Sequence, residues 1–183
     1  VDIACDGKEF TAFCVSAGDG IVCHFFENTY YKNIVREYHS TMPCVALISF
    51  DNAEDFFNDS DEAYSEIVAS VETSLQKWAA EYNALYKRVG TNRYMIIFKD
   101  SDIDKMTAAK FPILKTIRSI NANHLTATVS VGLSRGEKLI KDSEMNARKA
   151  LEMALGRGGD QVAILSNNSY EFFGGKAAAT EKV

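Results

Sequence analysis

Residues 44–50 read CVALISF, a run in which only Ser49 is polar. A continuous apolar run this short suits a strand buried on both faces at the centre of a sheet, because an edge or half-exposed strand would alternate polar and apolar positions. Downstream, Ala63, Ile67, Val71, Leu75, Trp78 and Tyr82 recur every three or four positions and predict a long helix with its apolar stripe on the core. Asp59 and Glu62 stand before it with the spacing of a capping box. Residues 85–89 and 93–98 predict two strands joined by Gly90, Thr91 and Asn92, a tight hairpin in which Gly and Asn accept positive φ. Ser101 and Asp104 mark a helix start, and Ile103, Met106, Leu114, Ile117 and Ile120 continue the stripe. Pro112 must kink or split that helix, since an interior proline costs roughly 3 kcal/mol.

Residues 125–133 alternate, with Leu125, Ala127, Val129, Val131 and Leu133 on one face and Thr126, Thr128, Ser130 and Gly132 on the other, the pattern of a half-buried strand. Ser143 is placed to cap a helix that runs to about Leu155, the glycine-rich residues 156–159 stop it, and residues 161–165 read as the last strand. The order β-α-(α)-β-β-α-β-α-β is a split βαβ core of the α/β (α+β) class, a five-stranded mixed sheet with helices on one side.

Upstream, residues 10–15 and 21–26 are β-rich and flank Ser-Ala-Gly-Asp-Gly, which reads as a hairpin with a loop of about five residues. A lone hairpin is not stable by itself, so it is expected to close a preceding domain. Asn28 or Thr29 can cap a helix through about His39, with Tyr31, Ile34, Val35 and Tyr38 at helical spacing. The expected organisation is therefore a hairpin remnant over residues 1–27, a connector helix over 28–43, the main domain over 44–166 and a tail over 167–183.

With 183 residues and 46% hydrophobic content, the chain has the size of one domain with a single core plus a short extra segment. A net charge of −5 and a pI near 5.3 argue against nucleic acid or an anionic membrane surface as partner. No apolar run is long enough to span a bilayer, and no export signal opens the sequence. Cys5, Cys14, Cys23 and Cys44 form no C-x-x-C pair and have no histidine at zinc spacing, so they are expected to be reduced thiols.

Four stretches together resemble a GGDEF domain: Ser-Phe-Asp-Asn-Ala (49–53), the hairpin Arg88 to Tyr94, Thr-Val-Ser-Val-Gly (128–132) and the helix carrying Ala147, Ala150 and Leu151. The resemblance covers about residues 44–165 and implies a nucleotidyl-cyclase-like fold. In active members the hairpin reads Gly-Gly-Asp/Glu-Glu-Phe. Its acid and an aspartate of the first strand hold two metal ions, which need hard carboxylate ligands. Here the hairpin is Gly90-Thr91-Asn92-Arg93-Tyr94, the metal-holding position of the first strand is Ser49, and Asp51 is the one carboxylate left. Arg93 brings positive charge to the place of a metal ion. Leu155 and Gly159 replace phosphate-binding Lys and Arg, and Glu81 and Ala84 replace an R-x-x-D feedback site. The departures argue against diguanylate cyclase activity.

Leu155-Gly-Arg-Gly-Gly-Asp-Gln-Val162 and Phe172-Phe-Gly-Gly-Lys176 are similar to the degenerate GGDEF domain of GdpP-type cyclic-di-AMP phosphodiesterases. Members of that family carry two transmembrane helices, a PAS domain, the degenerate GGDEF domain, and DHH and DHHA1 domains that hydrolyse the cyclic dinucleotide with manganese. The resemblance implies a place on the cytoplasmic side of the membrane, with the PAS and DHH/DHHA1 domains of the same parent chain as partners. It makes residues 1–27 the end of the PAS domain and residues 177–183 the start of a linker toward DHH.

The expected role is regulatory: a site that binds a purine nucleotide, ATP with magnesium first, or hydrolyses it slowly. Asp51, Gly90, Thr91, Asn92, Arg93 and Arg157 are its candidate residues, because turn amides and these side chains can bond phosphate oxygens. The bland alternative for the hairpin is ordinary turn chemistry. The glycines around Arg157 follow a helix and precede a strand, the reverse of a phosphate cradle, so they read as a helix stop. The alternative role is a structural or homodimerising module linking PAS and DHH domains without a ligand.

Overall fold

The structure, a computed structural model, describes residues 1–59, 61–122 and 124–175, without the side chains of Asp59 and Ala63. The capping role expected of Asp59 and the tail beyond Gly175 lie outside the described residues. Two compact units divide the chain, Val1–Thr41 and the remainder from Met42.

In the first unit, β1 (Asp2–Cys5), β2 (Lys8–Ala17) and β3 (Gly20–Glu27) form an antiparallel sheet in that order, followed by α1 (Thr29–Ser40). The β2/β3 ladder continues to Ala17 opposite Gly20, so the turn has two residues where a loop of about five was expected. Gly18, at φ +60, makes that tightness feasible. The same register sets Cys14 opposite Cys23, with Cα atoms 4.1 Å apart, and the two are joined as a disulfide. The reduced-thiol expectation is thus corrected for this pair, while Cys5 and Cys44 are free. Asn28 holds the N-cap position of α1 but makes no side-chain cap bond; its amide donates to Thr11 Oγ1 at 2.7 Å. Thr29 Oγ1 accepts the Glu9 N–H at 2.8 Å, and Arg36 pairs with Glu9, which fastens α1 to β2.

The second unit is built on β4 (Pro43–Phe50), whose residues 44–50 are all buried. Around it stand α2 (Ala53–Asp59), α3 (Asp61–Glu81), β5 (Leu85–Gly90), β6 (Arg93–Lys99), α4 (Asp100–Ala108) and α5 (Ile113–Arg118). The short pair β7 (Asn121–Ala122) and β8 (Leu125–Thr126) then leads to β9 (Val129–Arg135), α6 (Ile140–Gly156), β10 (Gln161–Ser166) and β11 (Ser169–Gly174). The sheet order is β11-β10-β9-β4-β6-β5, with β9 and β10 parallel and the other neighbours antiparallel. Its class is the expected α+β mixed sheet. It has six strands because β11 folds back on β10 through Asn167 and Asn168, both at positive φ. Pro112 does split the helix expected there, standing at the N-cap of α5.

Helices cover both faces of the sheet, where the sequence had suggested one. Ala46, Ile48, Phe50, Ile96, Val131 and Ile164 meet α3, α4 and α5 in the larger core. Val45 and Leu47 point the other way, against Ala147 and Leu151 of α6. The strand expected to be half-buried is consequently buried on both faces from Val129 to Ser134, and its Ser130 and Gly132 positions lie on the α6 side. Backbone meets backbone at Gly132: a Cβ there would come within 2.1 Å of Leu151 N and 2.2 Å of Ala147 O. Ser143 is no cap either. Leu139 takes the cap position, and Ser143 is buried one turn in, its hydroxyl accepting the Val45 N–H at 3.2 Å.

The glycines of this layer make opposite predictions. Gly132→Ala has no room and should cost about 3 kcal/mol or more by forcing α6 off the sheet. Gly156→Ala, with nothing within 4 Å of its Cβ, should stabilise by about 0.5 kcal/mol through lower unfolded-state entropy. Urea unfolding of the two variants against wild type measures both.

Candidate functional site

Strand register brings the expected hairpin to the end of the first strand. Ser49 pairs with Arg93 across β4 and β6, and the Phe50 N–H donates to Asn92 O at 3.0 Å. A bulge between Arg88 and Gly90 ends β5, leaving Thr91 and Asn92 as the turn. Asn92 carries the positive φ, at 55°, and Gly90 does not, so the turn's strained position is filled by asparagine. Tyr64 of α3 donates its hydroxyl to Asn92 Oδ1 at 3.2 Å. The turn is therefore held from two sides, while Thr91 and Arg93 stay exposed.

Asp51 is one residue beyond β4 and is occupied elsewhere. Its Oδ2 accepts the Ser130 hydroxyl at 2.8 Å and the Asp160 N–H at 2.9 Å, while its own N–H donates to Thr128 O. Oδ1 is buried and has no hydrogen-bond partner. Burial pushes the Asp51 carboxyl above its ordinary value, against the opposing pull of the Asp160 N–H and Ser130 bonds. Asp160 is in turn gripped by Arg118, whose Nε reaches both carboxylate oxygens at 2.9 and 2.8 Å. The glycine-rich stretch serves this contact as well as stopping α6. Gly159, at φ +72, would place a Cβ 2.9 Å from Asp51 Oδ2.

Arg157 does not join the hairpin. Its guanidinium lies 4.3 Å over the ring of Phe172 on β11. That strand is four strand spacings from β6, or about 19 Å at roughly 4.8 Å each. Of the six expected residues, Gly90, Thr91, Asn92 and Arg93 are thus together, Asp51 is adjacent but turned toward Ser130, and Arg157 is apart. The residues at the hairpin do not fit a divalent metal pair: Ser49 offers no charge, Arg93 is cationic, and the Asp51 oxygen that makes bonds holds two protein donors already. Among the described residues no group of three or more His, Cys, Asp or Glu could hold a metal ion.

A feature absent from the expected site borders it. Between α6 and β6 runs a groove of 570 Å³, floored by Leu47, Met95, Leu151 and Leu155, with Arg93, Arg148, Glu144 and Glu152 at its walls. Its signal in the sequence is double: residues 93 and 95 alternate onto one face of β6, and residues 144, 148, 151, 152 and 155 share one side of a helix.

The architecture is that of a GGDEF domain. The active GGEEF domain of a diguanylate cyclase from Vibrio cholerae superposes with a TM-score of 0.60, at 15% identity, over 74% of this chain and 91% of that one. At that identity the likeness is one of fold. Residues 48–172 match the family described as cyclic-di-AMP phosphodiesterase GdpP-like, GGDEF domain, and the chain belongs to that family. It is 32% identical over 162 residues to the cyclic-di-AMP phosphodiesterase GdpP of Geobacillus thermodenitrificans, covering 87% of this chain and 25% of the relative. Against GdpP of Bacillus subtilis the identity is 32% over 167 residues, 90% of this chain and 25% of that protein. The chain spans about a quarter of the length of these curated relatives. No helix among the described residues is long and apolar enough to cross a membrane.

Asp51 can be tested as a structural acceptor. Asp51→Ala leaves the Asp160 N–H without its partner and should cost about 2 kcal/mol, whereas Asp51→Asn keeps an acceptor oxygen and the fold. A carboxyl raised in the folded state retains a proton that the unfolded chain has released. Its contribution to stability therefore falls as pH rises from the ordinary 3.8 through the folded value. Urea unfolding between pH 4 and pH 7 should show Asp51→Asn gaining on wild type as pH rises.

Proposed function

We propose that this chain is a regulatory GGDEF domain of a longer cyclic-di-AMP phosphodiesterase, that it carries no diguanylate cyclase chemistry, and that it binds a purine nucleotide. The observation that carries the reading is Arg93 paired across the sheet with Ser49. In the place where two metal ions would need carboxylates stands a guanidinium, which repels a cation and attracts a phosphate. Asp51, the carboxylate at the end of β4, braces the start of β10 through the Asp160 N–H. A site that has lost the means to hold metal and kept a cation beside a rigid turn suits phosphate binding without turnover. The hydrolytic centre then belongs to DHH and DHHA1 parts of the parent chain, with manganese there, and a PAS portion precedes this domain. Nucleotide binding here would bias the phosphodiesterase by its differential affinity for the parent's conformations. The domain would stand on the cytoplasmic side of the membrane.

A second reading, a docking or dimerising module without a ligand, draws support from the first unit. Phe13, Phe25 and Phe26 are each more than half exposed on its small sheet, at 58%, 61% and 57%, more apolar surface than a free hairpin sheet keeps to itself.

Titration calorimetry of the protein with ATP, GTP and cyclic-di-GMP, each with and without magnesium, separates the readings. The sensing reading expects micromolar binding of a purine nucleotide, at least tenfold weaker in Arg93→Ala, and no cyclic dinucleotide from GTP and magnesium by chromatography. Formation of cyclic-di-GMP would overturn the non-cyclase reading. Silence for all three ligands, with concentration-dependent association in sedimentation, would put the docking reading first.

A further inference from the structure

We infer that the groove between α6 and β6 is the seat of the purine nucleotide, with the base against Leu47, Met95 and Leu155 and the phosphate on Arg93. The inference rests on the nucleotide-binding reading proposed above and gives it a place.

The groove exists because α6 packs on β4, β9 and β10 and, among the described helices of the second unit, is the one on that side of the sheet. None of the described helices of the second unit lies over the same side of β6 and β5. Met95 is half-buried there, and Val89 remains 45% exposed. The volume of 570 Å³ falls inside the roughly 300–1,000 Å³ of small-molecule sites, and an aliphatic floor lies beneath four charged side chains. The floor is aliphatic and thioether surface, which takes the face of a planar base.

The charges at the walls fix the chemistry further. Arg148 is paired with Glu144 at 3.1 Å. Arg93 and Glu152, which line the same groove, have no ion pair among the described residues. An unpaired guanidinium at the hairpin end suits a phosphate, which it can grip with two parallel N–H donors. A carboxylate on the α6 wall can accept from the exocyclic amine of adenine or guanine. A groove with an aliphatic floor, and with a cation and a carboxylate at its walls that have no ion pair among the described residues, is complementary to a flat, amine-bearing, phosphorylated ligand.

The test uses the protein labelled with ¹³C in its methionine methyl groups. Five methionines give five signals. On adding ATP or GTP, the Met95 signal is expected to shift in step with the calorimetric isotherm, while that of Met106, fully buried in the opposite layer, stays. Arg93→Glu and the groove-filling Met95→Trp should each weaken binding at least tenfold, and Arg157→Ala should keep wild-type affinity. If Met95→Trp fails to fold, Arg93→Glu and the methyl signal still decide. Binding that weakens in Arg93→Glu but leaves the Met95 signal unmoved and survives Met95→Trp overturns the groove and leaves the nucleotide reading standing. No binding of either nucleotide by wild type overturns both. The ATP and GTP arms identify the base.

Discussion

A helix backbone lies directly on a strand backbone at Gly132, and the second unit is arranged around that contact. With no Cβ between them, α6 sinks onto β9 far enough for Ala147, Ala150 and Ala154 to be fully buried. At that depth the Ser143 hydroxyl reaches the Val45 N–H at one end of the helix, and Gln161 Nε2 donates to Ala154 O at 2.8 Å at the other. The loop that leaves α6 is then low enough for the Asp160 N–H to meet Asp51. Two small clusters hold the helix down, one with Val45 and Leu47 and one with Ala163, Leu165 and Phe172. The small side chains at 147, 150 and 154 follow from the same closeness, since larger ones would restore the gap that Gly132 removes.

Most of this was legible where one physical signal decides one element. The apolar run at residues 44–50, the stripe of α3 from Ile67 to Trp78 and the break at Pro112 each depend on local chemistry and stand as read; the turn before Arg93 is tight as expected, but it has two residues and only its Asn92, not Gly90, takes positive φ. The misreadings share a different cause. Ser130 and Gly132 look like the exposed half of an alternating strand, because small and polar residues carry no sign of the helix that will cover them. Ser143 looks like a cap for the same reason: its partner, the Val45 N–H, is nearly a hundred residues away. Strand β11 lay in the Phe172-Phe-Gly-Gly motif, recognisable as a motif but mute about geometry. In the structure Phe172 packs under Arg157 and Phe173 packs on Phe111, so the strand closes the edge of β10 with one aromatic on each face. The glycine that follows, Gly174 at φ +85, has no room for a Cβ beside Leu114.

The candidate site divides along the same line. Proximity of the hairpin to the end of β4 follows from strand pairing, which sets Ser49 opposite Arg93. The direction of the Asp51 side chain depends on a serine in β9 and a backbone amide more than a hundred residues on, and no spacing rule reports it. Arg157 was misplaced because its neighbours in sequence are glycines that turn the chain away from the hairpin and toward β11. The groove went unread because its two walls are separated by about fifty residues, and each wall taken alone is an ordinary amphipathic pattern.

Asp51 shows what a carboxylate at the end of a central strand requires of its surroundings. A carboxylate at the end of the central strand, with no metal ligands beside it, is a buried charge that needs donors, and a backbone N–H and a hydroxyl supply them. So engaged, it fixes the start of β10 relative to β4. Its remaining oxygen is buried and unpartnered, which is why burial outweighs the two hydrogen bonds in setting its proton affinity. Loss of binding on truncating Asp51 would therefore report a displaced loop as readily as a lost contact, whereas Arg93 is exposed and lines the groove, and its substitution leaves the frame intact. Both residues are candidates on sequence alone; burial and hydrogen-bond partners assign Asp51 to the frame and leave Arg93 exposed.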